Sequence, residues 1–377
     1  MSDLNYWLGF NRVTGIGPAK IQALLAAYGS LERAWTAGEA ELRDLGFDSR
    51  TLQNLREARE TLDLDAYRAT LDRAGVHVLT WNSAEYPANL REIPAPPPVI
   101  YFKGDWSPSD KWAVAVVGTR RLTAYGRQVA HELVTGLSRS GITVVSGLAR
   151  GIDAVAHQTA IEHGGRTIGV MGSGLDHVYP PEHRGLYHEI VSGHGAIVTE
   201  FALGTEPEAK NFPVRNRLIS GLTLGVLVIE ANERSGALIT ARFALEQDRD
   251  VFAVPGPIHS PVSKGTNRLI QQGAKLVMSV EDILEELNLQ MVEEHVAVAA
   301  AVPETPEEAA LLSRLSSQPV HVDELCRETG MPTAQVSSTL TLMELKGMVQ
   351  QVGGMNYVRL REGGATYHLS GERSDVL

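Results

Sequence analysis

Arginine in this chain repeatedly stands beside glycine, in turns that could hold a phosphate. Gly118-Thr119-Arg120-Arg121 closes one apolar run, Gly147-Leu148-Ala149-Arg150-Gly151 a second, and Gly172-Ser173-Gly174 a third. Glycine admits a ligand close to the backbone, free N–H groups at a helix start donate to anions, and a guanidinium adds charge with paired donors. A fourth stretch, Asn211–Ala241, carries Lys210 just before it and then Phe212, Pro213, Arg215, Asn216 and Arg217. It continues through an uncharged run, Leu224–Ile229, to Ser235-Gly236 and a helical Ala237–Glu246. Lys264, Asn267 and Arg268 follow in a later loop, while the nearby acids are fewer: Asp176, Glu200 and Glu230. Cations, a stackable ring and helix N-termini suit a nucleotide or a nucleic-acid backbone.

These groups act together only if the fold brings them to one place. Trp112–Val117, Ile142–Val145, Thr167–Val170, Ala196–Val198, Leu224–Ile229 and Val251–Val254 read as strands buried on both faces. Tyr125–Arg139, Asp153–Glu162, Ala237–Glu246 and Asp282–Leu287 read as helices between or after them. Such alternation makes an α/β, Rossmann-like, doubly wound and mostly parallel sheet, whose binding crevice lies at the carboxyl ends of the strands. All the glycine turns then face one rim. A second role stands beside each assignment: Phe212 could anchor a loop in the core, and Arg150 could pair with Asp153.

Several chemistries lack their signature. Neither G-x-G-x-x-G nor G-x-x-x-x-G-K-[ST] occurs, so no dinucleotide cofactor or ATP hydrolysis is expected. No G-x-S-x-G elbow is present. The histidines from His157 to His194 have no H-E-x-x-H or C-x-x-C companion, so no metal is expected. The one cysteine, Cys326, rules out a disulfide framework. With 43% hydrophobic residues, no apolar run of membrane-spanning length and no secretory signal at its start, the chain reads as cytoplasmic. A net charge of −11 argues against a non-specific DNA coat, which throws the weight onto local charge at the rim.

The 377 residues exceed one ordinary domain. Residues 1–75 read as an all-α module of helix-hairpin-helix or SAM-like type. Within it Gly15-Ile16-Gly17-Pro18, followed by Lys20, is either a phosphate-binding hairpin or a tight helix connection. Residues 76–110 form a strand and proline-rich lead-in expected to dock on the sheet edge, and 111–290 form the sheet domain. Residues 291–308 read as a linker, 309–361 as a winged helix with its wing around Gly353-Gly354, and 362–377 as a tail. The third helix of that module, Thr333–Lys346, offers little but Gln335 to DNA.

Read together, VVGTR (Val116–Arg120), SGLARGIDAVAH (Ser146–His157), GVMGSGLDHVYP (Gly169–Pro180) and NFPVRNRLISGL (Asn211–Leu222) resemble the DprA/Smf family of bacterial natural transformation. The long run Glu230–Gly256 and KGTNRLIQQGA (Lys264–Ala274) extend the resemblance across most of Tyr86–Leu287. It implies a homodimeric, non-catalytic protein that protects incoming single-stranded DNA, loads the RecA recombinase onto it and needs no cofactor. It implies a DNA pocket built on Arg120, Phe212, Arg215, Asn216 and Arg217. Two departures stand out. PEHRGL after Pro180 keeps only Arg184 as a cation, and FALG replaces the usual Tyr-Pro-Pro-Gly after Glu200. The competing readings are a nucleotide-binding or nucleotide-hydrolysing enzyme using Glu200, Glu230 or Asp176, and a transcription regulator with the sheet as sensor. Binding to duplex DNA is left open.

Overall fold

The computed structural model describes residues 3–293, 305–315, 320–345, 349–351, 355–359 and 365–369. Most of the expected linker, the Gly353-Gly354 turn, Lys346, Arg361 and most of the expected tail lie outside them. The chain divides into two compact units, Met1–Gln290 with the C-terminal residues from Leu369, and Met291–His368.

The larger unit is built on a nine-stranded sheet: β1 His77–Thr80, β2 Val99–Gly104, β3 Ala113–Val117, β4 Thr143–Ser146, β5 Thr167–Val170, β6 Gly195–Thr199, β7 Gly225–Val228, β8 Asp250–Ala253 and β9 Lys275–Leu276. Their spatial order is β1-β2-β6-β5-β4-β3-β7-β8-β9. From β6 to β9 every pair is parallel, while β1 on β2 and β2 on β6 are antiparallel. The lead-in therefore extends the sheet past β6, with Tyr101 opposite Thr199 and His77 opposite Phe102. From β3 the chain winds one way to β6, then crosses back to β7 and winds the other way. The strand order thus reverses between β3 and β7, the position where open α/β sheets bind ligands.

Residues alternate between the faces, as a strand period of two requires. Ile100, Ala113, Ala115, Val117, Ile168 and Val198 join Leu218, Ile219, Ala237, Ala241 and Ala244 from the Asn211–Gly221 and Ala237–Glu246 helices. Val99, Tyr101 and Ile197 point the other way and share a core with Trp7, Leu8 and Phe10. Six helices between Asp3 and Arg73 make up this N-terminal layer. Polar ties close the same boundary: the Tyr101 hydroxyl donates to Asn11 at 2.8 Å, and the Leu203 N–H donates to the Tyr67 oxygen at 3.3 Å. Within this layer the helical stretch 39–61 is broken into Glu39–Asp44 and Ser49–Thr61. The break falls at Gly46, whose φ of 85° suits glycine, and Asp48 caps the second helix.

The smaller unit carries helices Pro306–Leu312, Val322–Thr329 and Thr333–Leu345, with strands Val320–His321, Val349–Gln351 and Asn356–Arg359 paired antiparallel. Leu311, Leu325, Val336, Leu340, Val349 and Tyr357 form its core, in the arrangement of a winged helix. Its first helix starts at Pro306, earlier than the expected Ala309, because Thr305 accepts from the Glu308 N–H and Pro306 fits the first helical position.

Candidate nucleic-acid interface

A cleft of about 970 Å³ opens at the strand ends around β3 and β7. Val117 to Arg121 form one wall, the Asn211–Gly221 helix a second, and Asn232 with Ser235 to Ala237 a third. The loop after β3 is held tightly. The Thr119 N–H donates to the Glu230 carbonyl at 2.7 Å, and the Ile152 N–H donates to the Thr119 carbonyl at 3.2 Å. A Cβ on Gly118 would lie 2.5 Å from Ile152, so only glycine allows this approach. Arg120 and Arg121 leave this fixed loop exposed, and neither side chain makes a hydrogen bond or ion pair with any described residue.

Opposite them stands an aromatic pair. Tyr179 and Phe212 lie 5.4 Å apart between ring centroids, tilted by 42°, and both line the cleft. Tyr179, which the sequence analysis did not single out, is added to the site by the structure. Its ring is 39% exposed, a property that only the folded chain shows. Gly236 brings the start of the Ala237–Glu246 helix to the third wall, where the Ser235 hydroxyl takes only the Ala237 N–H. The next two N–H groups are also engaged, Leu238 on the Ser235 carbonyl and Ile239 on the Gly236 carbonyl, both at 3.1 Å.

Arg215 does not stand in the cleft as a free cation. It is 5% exposed, and its guanidinium donates to the Gly147 carbonyl at 2.7 Å, to the Val170 carbonyl and to Asn216 at 3.2 Å. It thereby ties the ends of β4 and β5 beneath the cleft floor. Burial lowers its pKa to about 10, partly offset by Asp153. Burial pushes Asp153 up to about 6, against the pull of Arg215 and the N–H groups of Ala149 and Gly147. Asn216 lines the cleft and donates to the Gly236 carbonyl at 3.3 Å. Arg217 points elsewhere: it pairs with half-buried Glu200 and donates to the Ala95 carbonyl, so it is no part of the cleft wall.

The remaining expected residues divide in the same way. Gly147 and Arg150 line a small annex of the cleft beside Tyr179, and Arg150 pairs with Glu182 rather than Asp153. Gly172, Ser173 and Gly174 are buried behind Phe212 and line neither the cleft nor its annex: a Cβ on Gly172 would meet Phe212 at 3.0 Å, and the Ser173 hydroxyl donates to the His177 carbonyl. Lys210 is exposed and pairs with Glu208, and Arg184 is exposed without a partner among the described residues. Lys264 and Asn267 lie on a helix, Lys264–Gln271, where a loop was expected. Asn267 is held by both backbone groups of Gly256, while Lys264 is exposed two residues past cleft-lining Val262.

In the N-terminal module Gly15 has φ 98° and Gly17 caps the Pro18–Tyr28 helix, as a hairpin requires. Lys20, however, donates to Asp48 at 3.1 Å and to Thr51 at 3.0 Å. The candidate catalytic acids are likewise held. Asp176 accepts from the Gly204 N–H, Glu200 from Arg217, and buried Glu230 from the Thr123 N–H and hydroxyl, capping the Ala124–Arg139 helix. In the winged helix, the described Thr333–Leu345 helix holds no basic residue, and Gln335 is exposed on it.

Comparison with known proteins places this architecture. Residues 77–288 match the family model described as DNA recombination-mediator protein A, and residues 295–355 match the DprA winged helix domain. Protein Smf of Synechocystis is 33% identical over 395 aligned residues, covering 95% of this chain and 99% of that protein. The X-ray structure of DNA processing protein A from Streptococcus pneumoniae superposes with a TM-score of 0.65 at 34% identity, over 75% of this chain and 97% of that one. A Helicobacter pylori DNA processing protein A structure, described for its single-stranded DNA binding mode, gives 0.51 at 29% identity over 56% of this chain and 95% of that one. With the family match spanning more than half its length, and the strand reversal, glycine turns and winged helix all in place, this chain belongs to the DNA recombination-mediator protein A family, the DprA/Smf proteins.

Proposed function

We propose that this chain is a non-catalytic mediator that holds single-stranded DNA in the cleft between the β3 and β7 ends. It protects the incoming strand in natural transformation and passes it to the RecA recombinase, acting as a cytoplasmic homodimer. The observation that carries the reading is the pairing of Arg120 and Arg121, exposed and unpartnered among the described residues, with the Tyr179–Phe212 rings across one cleft. Phosphate-tracking cations plus a stacking platform bind strands with little regard for sequence. The Helicobacter pylori relative described as a single-stranded DNA binder supports the same ligand. The reading assigns Arg120, Arg121, Phe212 and Tyr179 to direct contact, and Arg215 to holding the floor that positions them.

The commitments of Asp176, Glu200 and Glu230 support a binding rather than a hydrolytic role. Fluorescence anisotropy with labelled single-stranded DNA, duplex DNA and a mononucleotide, repeated from low to moderate salt, tests the reading. Tight, steeply salt-dependent binding of the single strand is expected. A flat salt response, or turnover of the mononucleotide that is lost in Glu200→Gln, would replace it with the enzyme reading.

A further inference from the structure

The Ala124–Arg139 and Ile152–Glu162 helices pack side by side over β4, each following a strand that ends at the cleft rim. On the solvent side, away from the cleft, His131 of the first meets Glu162 and His163 at the end of the second. One ligand atom from each of the three lies within 4.8 Å of the others. The two imidazole rings stand nearly perpendicular, at 79°, with centroids 5.3 Å apart. We propose that these three residues form a surface site for a divalent transition-metal ion of the Zn2+ class, which clasps the two helices together.

The proton positions favour it. His163 Nδ1 lies 2.9 Å from the Thr159 carbonyl, which only accepts, so Nδ1 carries the hydrogen and Nε2 presents its lone pair. A backbone carbonyl holding one ring nitrogen while the other faces the ion is the usual support of a histidine ligand. Among the described residues, the one hydrogen-bond contact of Nε2 is a long 3.4 Å approach to the Thr135 hydroxyl. His131 and Glu162 make no hydrogen bond or ion pair with any described residue, so their ligand atoms are uncommitted. His163 also caps its helix at the C-terminal end, where the helix dipole favours a cation. Zn2+ takes two imidazoles and a carboxylate at about 2 Å each, which leaves room for a water as fourth ligand. The side chains need only small rotations, since His131 and Glu162 are exposed. Mg2+ demands oxygen ligands in octahedral array and fits poorly. No sequence motif announces the set, because its members sit on different helices.

The test is isothermal titration calorimetry of the untagged full chain with Zn2+ alone, and with Mg2+ in parallel. One Zn2+ site per chain and no Mg2+ binding are expected. His131→Ala and His163→Ala should each weaken Zn2+ by about tenfold or more, the scale on which even supporting residues of metal sites act. Glu162→Gln should weaken it less. Zn2+ no tighter than Mg2+, or Zn2+ binding unchanged in both histidine variants, would overturn the site. All three side chains are at least partly exposed, so circular dichroism of the variants should match the parent.

Discussion

Gly15–Lys20 and Gly118–Arg121 follow the same local grammar with different outcomes. Each has a glycine whose Cβ would collide with a neighbour, Thr51 in one and Ile152 in the other. Each leads into a helix start and carries a cation within a few residues. In the hairpin Lys20 is drawn onto Asp48 and Thr51, which both sit at the start of the Ser49–Thr61 helix of the same module. Asp48 is held well below the usual carboxylate range, first by the Thr51 N–H and hydroxyl and then by Lys20. At the sheet rim the nearby acids are already engaged: Glu230 caps a helix and Asp153 is buried beneath the turn. Arg120 and Arg121 are therefore left for a ligand. A basic residue beside a glycine turn is available only where the protein's own acceptors are occupied elsewhere.

The sharpest way to break that contrast is to disturb the floor under the rim. Arg215→Ala strips two carbonyls and Asp153 of their buried partner, so denaturant unfolding should show a loss of about 3–5 kcal/mol. A loss below about 1 kcal/mol would make Arg215 a surface cation after all.

Asp153 gives the next largest effect. Its carboxyl is pushed up to about 6 in the fold, against 3.8 unperturbed, because burial outweighs Arg215. The native state thus binds the proton more tightly than the unfolded chain. Asp153's contribution is complete below pH 3.8 and is lost as pH rises through about 6, on the order of 2–3 kcal/mol. Unfolding of the parent and of Asp153→Asn across pH 4 to 7 should diverge in that window. Parallel curves would show that Asp153 does not titrate there.

Arg120→Ala should weaken single-stranded DNA by about tenfold or more, a charge-assisted contact of roughly 1.5–3 kcal/mol, while its melting midpoint stays that of the parent. The double change with Arg121→Ala should be less than additive if both hold neighbouring phosphates. Lys20→Ala is the smallest case. Its ion pair is internal to the module, so anisotropy should find single-stranded DNA affinity within about twofold of the parent. A loss as large as that of Arg120→Ala would erase the distinction between the two turns.

Much of this was legible in the residues. Uncharged runs such as Leu224–Ile229 marked the buried strands, and their alternation with helices placed Gly118–Arg121 at the crevice mouth. What escaped was the direction of individual side chains. Arg215, Leu218, Ile219 and Leu222 recur at the spacing of one helix face, a sign that Arg215 belongs to the buried stripe. The reading counted it instead among the cations of the rim, beside Arg217. Arg217 was drawn off the rim by Glu200, a partner set by tertiary packing alone. The Lys264–Gln271 helix was missed because Gly265 and Thr266 look like turn residues. A Cβ on Gly265 would lie 2.6 Å from the Ala231 carbonyl, so that glycine serves close packing instead.

The stitching of β2 onto β6 sets an order for synthesis on the ribosome. Tyr101 pairs with Val78 across the β1–β2 hairpin, but its other edge is closed only by Thr199, and the apolar residues of the N-terminal helices share their core with Ile197. Until β6 emerges, β2 is an open edge strand and Trp7, Leu8 and Phe10 have only part of their cover. The first half of the nascent chain must therefore wait, exposed to chaperones and proteases, for a segment made about a hundred residues later. Limited proteolysis of ribosome-bound chains halted before and after residue 200 would show protection of the N-terminal helices only in the longer one.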